Sequence, residues 1–442
     1  MKTKRIVTFL LAAAAASACW ARDPAEQPSV RRGEPQRAGS TWEERAACSA
    51  PMKEGSRLVV RADFGSIEVQ PGPGEQMNCQ VRLRVYTRNE NEARRYLRSY
   101  ELALRPHEGG LFLTGRFPTE RRGHRSMSAE FAITVPARSN LDLETQGGEI
   151  KVGKLQGSLQ AVTAGGDIRA ADLAGPVRVE TAGGNILMGT VAAPVEARTA
   201  GGNIRVGDIK GAAVLETSGG EIMAGRVEGS LHAETAGGDL VLRGASGPIE
   251  AQTAGGQIQI GDSGGNVSAQ TAGGSIRLHG ARGRVNVKTA GGSIDLLQLR
   301  NAVNASTAAG YILAQIDAAQ KTFSASELKT AAGDILVYLP PHLPLTIDAA
   351  IDMAAGHKIL SDFPLSIKSE GPAFATTKVQ GAGTLNGGGE VLRVRTVAGN
   401  IEIRRLEAST LERLRERQES FWKRWTVREQ LRQRKLARER DR

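Results

Sequence analysis

Bulky aromatic side chains are scarce in this chain: Phe, Trp and Tyr together make up 4% of 442 residues. A large globular core relies on such groups. Their scarcity argues against one and suits a narrow interior of Val, Ile, Leu, Ala and Thr. Long apolar runs are missing too. Past the first twenty residues, no stretch is apolar over the ~20 residues that a transmembrane helix needs. The six histidines, at 107, 124, 232, 279, 342 and 357, never fall at metal-ligand spacing, so no metal or cofactor is expected. Net basic charge is nearly absent from the body of the chain. Of the net +11, residues 1–21 carry +3, and residues 404–442 carry +7 from fourteen Lys/Arg against seven Asp/Glu. Only +1 is left for the rest, which gives no ground for a nucleic-acid partner.

The first residues follow an export pattern. Met1-Lys-Thr-Lys-Arg5 is basic, Ile6 to Ala16 is apolar, and Ser17-Ala18-Cys19 is small. This reads as a signal peptide over 1–18. Two cleavage readings stand. Ala16-Ser17-Ala18-Cys19 resembles a lipobox with Ala where Leu is usual, which would acylate Cys19. Ordinary small-x-small cleavage after Ala18 or Ala21 would release a soluble protein. Acylation of Cys19, or its removal, leaves Cys48 and Cys79 as an even pair. In an oxidising envelope these are expected to form a disulfide, with a free buried thiol at Cys79 as the alternative.

Residues 19–50 are polar, contain Pro and lack periodicity, and so read as a disordered tether. From 51 to 140 a β-rich N-terminal region is expected, with strands such as Arg57–Arg61, Gly65–Val69 and Cys79–Val85. One short helix falls over Asn89–Arg98, with Ala93, Tyr96 and Leu97 inward.

A repeat then governs the chain. Thr recurs at 145, 163, 181, 199, 217, 235, 253, 271, 289 and 307, every eighteen residues without an insertion. Five places after each Thr stands Ile or Leu, from Ile150 to Ile312. Before it lie apolar positions such as Val177 and Val179, two apart and two from Thr181. Strand side chains alternate faces, so the Thr column shares the inward face with these apolar columns. The intervening positions are polar, as in Glu180, Arg198, Glu216 and Glu234. Each coil is strand, Ala-Gly-Gly corner, strand and a looser turn through Leu155, Leu173, Val191 or Ile209. The glycines are expected to supply positive φ at the corners. The predicted fold is all-β: a parallel single-chain β-solenoid of 18-residue coils over 141–404, regular to 310 and degenerate after. It lies between an N-terminal β-rich cap region and a basic amphipathic α-helix over 405–442.

The arrangement resembles a bacterial family of candidate adhesins built from β-strand repeats, whose function is unknown. Its marks here are Phe64-Gly-Ser-Ile-Glu-Val69, the charged helix near 90–98, Val135-Pro-Ala-Arg138 leading into Leu141, the Thr-x-Gly-Gly repeats, Tyr338-Leu-Pro340 and Arg395-Thr-Val-Ala-Gly-Asn-Ile401. The resemblance covers about 55–404. It implies an extracytoplasmic parallel β-solenoid, in the periplasm or at the cell surface, assigned to adhesion and carrying no catalytic residues. The basic Trp-containing tail falls outside it.

Several sites are weighed on the residues themselves. The position after Gly-Gly carries carboxylates in only four of nine coils (Glu149, Asp167, Glu221 and Asp239), too few for a calcium roll, so a polar ladder that steadies the turn is expected. The Thr ladder (Thr163, Thr181, Thr199, Thr217, Thr235, Thr253, Thr271 and Thr289) points inward, which makes it structural, with hydroxyls bonded to neighbouring backbone or to each other. Outward Glu180, Glu216 and Glu234 with Arg169, Arg178 and Arg198 would suit a carbohydrate-active β-helix enzyme, the rival to a non-enzymatic adhesin or surface scaffold. In the tail, Phe421, Trp422, Lys423, Arg424, Trp425, Arg428 and Arg432 would suit an anionic membrane or an acidic partner. The same helix could instead cap the last coil. A polysaccharide or protein ligand at the envelope surface is the expected partner of the rod.

Overall fold

The structure, a computed structural model, describes residues 27–117, 127–317, 323–371, 377–414 and 416. Over the regular repeats each coil contributes two strands. One runs into the threonine (Val177–Thr181, Val195–Thr199), the other starts at the isoleucine (Ile186–Met188, Ile204–Val206). Strands pair in parallel with their equivalents eighteen residues on, as Thr181 opposite Thr199 and Ile186 opposite Ile204. Two sheets result, named here the threonine sheet and the isoleucine sheet. A third apolar column, Leu155, Leu173, Val191, Ile209 and Val227, links coils through single parallel bridges. Nine steps at about 4.8 Å make the regular stack roughly 40 Å long.

All three columns face inward and are buried, Ile168, Ile204, Ile222 and Ile258 completely so. Parallel sheets require cover on both faces or a closed interior. Here the coil supplies its own cover, one sheet's inner face against the other's.

The corner glycines work differently from the expectation. At the corner after the threonine position, positive φ occurs among the described coils only at Gly65 in the first coil and at Gly310, Gly333 and Gly399 in the late ones. At the next corner Gly244 has it too. In the regular coils the second glycine is required because the preceding coil stands against it. A Cβ on Gly184, Gly202 or Gly238 would lie 2.0 Å from the carbonyl oxygen of the equivalent glycine eighteen residues earlier. The first glycine of each pair is looser, with 3.4–3.5 Å of room at Gly237 and Gly255.

The N-terminal region is built from β1 (Ser29–Arg32), β2 (Gln36–Ala38), β3 (Thr41–Pro51), β4 (Arg57–Ala62), β5 (Ser66–Gly72), β6 (Gln76–Val85), α1 (Glu90–Ser99), β7 (Glu101–His107), β8 (Gly110–Arg116) and β9 (Met127–Pro136). Strands β1 to β3 occupy much of the stretch expected to be a disordered tether. In β3, Trp42, Ala46, Cys48 and Ala50 alternate inward against β6, together with Glu44, which Arg32 neutralises. Small side chains and one inward charge hide that strand pattern in the sequence. Helix α1 is capped by Asn89, whose Oδ1 accepts from the Glu92 amide, and it buries Ala93 and Leu97.

Both ends of the stack are assembled out of chain order. Strands β4 and β5 form a coil lying between β8–β9 on one side and the strands 140–145 and 150–152 on the other. At the far end, 391–398 and 401–405 lie between 326–339 and the later-stacked 345–361. After Arg405 residues 408–414 are helical, with Thr410 and Leu414 buried. The remainder of the expected tail helix, including Phe421, Trp422, Lys423, Arg424, Trp425, Arg428 and Arg432, lies outside the described residues. So do the signal segment and Cys19.

Candidate functional site

The threonines anchor the rod internally. Thr199 Oγ1 donates to the Gly184 carbonyl at 2.8 Å and accepts from the Gly202 amide at 3.2 Å. The same two bonds recur from Thr163 to Thr289, and every hydroxyl is buried. Each Thr thus ties its corner to the preceding coil, as its inward position implied. The polar column after Gly-Gly forms the expected ladder. Asp167 Oδ1 accepts from the Asn185 amide, Asn185 Oδ1 from Asn203, and Asn203 Oδ1 from Glu221, at 2.8–2.9 Å.

With those groups committed to the scaffold, the outward face of the threonine sheet carries the surface chemistry. Alternation leaves two outward positions per strand, such as Arg178 and Glu180, then Glu196 and Arg198. Stacking sets each beside its equivalent in the next coil, where opposite charges attract. Arg178 Nη1 lies 3.0 Å from Glu196 Oε2, and Arg198 Nε lies 2.8 Å from Glu216 Oε2, with Arg198 also on Glu196. His232 continues the line, 3.2 Å from Glu250 and 3.6 Å from Glu234. The Arg198 guanidinium holds the Glu216 carboxyl below its ordinary range.

Past these ion pairs the face is neutral over Gln252, Ser268, Gln270 and Asn286, until outward Lys288 restores charge. Along the corner, exposed Ala164, Ala182, Ala236 and Ala254 floor an open trough of about 1020 Å³, with Glu144 at one end and Gln270 at the other. A second depression of about 750 Å³ on the same face lies over Pro176 and Pro194, between Arg57 and Glu196. At another corner, a recess of about 560 Å³ gathers Arg226, Arg282 and Arg300 with Glu228 and Asp262. Sequence reasoning found the charged columns but missed these depressions; the shape of the first depends on how the corner Ala column stacks.

Two further placements matter. His279 occupies an outward position in its strand yet is only 8% exposed, and burial pulls its pKa down to about 4, against a smaller opposing effect of Asp262. Cys48 and Cys79 face each other across β3 and β6, both buried, as two thiols. Among the described residues, no group of three or more His, Cys, Asp or Glu is placed to hold a metal ion, and no helix is long and apolar enough to cross a membrane.

No family model and no curated protein matches the chain. Among solved structures, it is similar to a candidate adhesin from Bacteroides fragilis NCTC 9343, at 14% identity and a TM-score of 0.25, over 55% of this chain and 96% of that one. It is also similar to a candidate cell adhesion protein from Clostridium sporogenes ATCC 15579, at 12% identity and a TM-score of 0.14, over 84% of this chain and all of that one. The solenoid itself is established by the strand register of the chain's own coils.

Proposed function

We propose that this chain is a non-enzymatic adhesin or surface scaffold of the bacterial envelope, whose recognition surface is the outward face of the threonine sheet. One observation carries the reading: stacked coils repeat the same outward positions in register and line one continuous trough of about 1020 Å³. A face that repeats about every 4.8 Å suits an extended ligand, a polysaccharide or a protein segment, held by many weak contacts. Rigid stacking lets each contact be made without ordering a loop. A glycoside hydrolase on this face would need a carboxyl group kept protonated to act as general acid. Glu216 is held in the opposite direction by Arg198. Export through residues 1–18, with Cys19 acylated or removed, would place the rod outside the cytoplasm, and the basic tail would add contact with an anionic membrane.

The test fills the trough without touching the core. Ala182 and Ala236 are exposed, so Ala182→Tyr with Ala236→Tyr should fold normally. Binding to immobilised envelope polysaccharide or host-surface protein should fall at least tenfold, with the thermal midpoint unchanged. Unaltered binding would move recognition elsewhere. If only deletion of 417–442 abolished binding, here to anionic vesicles, the tail would be the functional element. Turnover of a polysaccharide that Glu180→Gln or Glu216→Gln abolished would establish the enzyme.

A further inference from the structure

Among the described residues, strand β3 is the one sheet connection between β1–β2 and the rest of the fold. Strands β1 and β2 pair with β3 alone, and β3 joins the remainder through β6. That β3–β6 ladder runs without a bulge from Trp42 opposite Val85 to Pro51 opposite Gln76. Cys48 and Cys79 are directly opposed within it.

The geometry suits a covalent bond. Just past the ladder's end, the Met52 amide donates to the Glu75 carbonyl at 3.0 Å. Alternation along an antiparallel pair then makes Cys48 and Cys79 a hydrogen-bonded pair, with Cα atoms about 5.5 Å apart. A disulfide spans roughly 4.4–6.8 Å between Cα atoms, which includes this pair. The Cβ atoms, about 4.5–5.5 Å apart in a cross-strand pair, must close toward about 3.5–4.5 Å, so a small local adjustment of the two strands accompanies the bond. Both side chains enter the core, 3% and 2% exposed. The neighbouring Cys48 thiol and burial push the Cys79 thiol far above its usual range.

We propose that Cys48 and Cys79 form a cross-strand disulfide that fastens the N-terminal strands to the solenoid. The two thiols give up two protons and two electrons as the S–S bond forms. The oxidant is the disulfide of a thiol–disulfide oxidoreductase, which is reduced to its dithiol through a mixed disulfide with one of the two cysteines. Thiolates do the attacking, and in the folded core the neighbouring thiol and burial keep Cys79 protonated. The exchange therefore belongs to folding, before β3 seats on β6. The finished bond is then shielded from reductants by the same burial.

Trypsin separates the two cysteines at Lys53, Arg57 and Arg61, leaving 46–53 and 62–82 as distinct peptides. The protein should be exported by its own leader, purified without reductant, denatured, alkylated and digested. The expected result is one linked species of the two peptides, lighter than their sum by two hydrogens and resolved by reductant. Two alkylated peptides in the unreduced sample, or linkage to another cysteine, would overturn the proposal. As a second measure, Cys48→Ser with Cys79→Ser should raise the rate of native-state cleavage at Arg45 about tenfold. An unchanged rate would refute the fastening role even if the bond forms.

Discussion

Alanine in place of Gly256 should open the rod at one seam, whereas alanine at Gly255 should leave it intact. A Cβ on residue 256 would sit 1.9 Å from the Gly238 carbonyl oxygen and 2.4 Å from its carbon, while on residue 255 the nearest atom is 3.5 Å away. The obstacle at 256 is backbone, so no rotamer change relieves it. The two coils must separate by more than an ångström at that corner. Three short hydrogen bonds cross there: Thr253 Oγ1 to Gly238 O at 2.9 Å, Gln257 N to Asp239 Oδ1 at 2.8 Å and Leu240 N to Gln257 O at 2.8 Å. At about 1 kcal/mol net each, their loss costs about 3 kcal/mol, at the upper end of ordinary overpacking. Both substitutions also stiffen the unfolded chain, which stabilises by roughly 0.4–1 kcal/mol. Gly255→Ala should therefore be neutral or slightly stabilising, and Gly256→Ala should lose about 2–3 kcal/mol. Urea unfolding followed by far-UV circular dichroism measures the difference. Hydrogen exchange at the Leu240 amide, whose acceptor is across the seam, locates it. Equal stability of the two variants would refute steric contact between coils as the reason for the second glycine.

Two further outcomes follow from buried groups. Thr217→Val keeps the shape but removes the donor to Gly202 O at 2.8 Å and the acceptor for the Gly220 amide at 3.3 Å. It should cost about 1–3 kcal/mol, while Thr217→Ser retains most of the stability, and a valine variant as stable as the serine one would rule out the hydroxyl tie. His279 titrates at about 4 in the fold and near 6.5 when unfolded. A depressed folded pKa means its contribution is complete above about pH 6.5 and is lost as pH falls toward 4, by roughly 3 kcal/mol in all. His279→Gln should flatten that part of the stability profile, and identical profiles would contradict it.

The eighteen-residue period and the inward columns could be read from the chain because strand alternation is local: Val177, Val179 and Thr181 declare their shared face by spacing alone. The role of the second glycine could not, since its constraint comes from a carbonyl eighteen residues away and not from its own φ. Its trace is nonetheless present. In the late corners Ala309, Ala332 and Ala398 replace the first glycine, while Gly310, Gly333 and Gly399 keep the second. There a neighbouring coil's carbonyl oxygen stands 2.0–2.4 Å from an added Cβ, and φ is positive as well. Strand β3 was hidden by the small side chains of Ala46, Cys48 and Ala50 and by inward Glu44, which needs Arg32 to be tolerable. The trough on the threonine face depends on stacked Ala corners, which composition cannot reveal. The coil order at the ends rests on pairings such as Leu58 with Leu141 and Leu111, whose long sequence separation leaves no periodic mark.

That interleaved coil order has a mechanical consequence. A spool unwinds from its loose outer turn, but here the last described strands, 391–405, are gripped from both sides. Tension arriving from the C-terminal side cannot unzip one row of hydrogen bonds at a time. It must shear two rows together, drawing an inner turn out from between its neighbours, and the β4–β5 turn is gripped in the same way at the other end. Assembly meets the same constraint in reverse. Among the described residues, the segment 345–361 has no parallel neighbour until 391–405 arrives, so those later strands are the ones that join the far end to the rod.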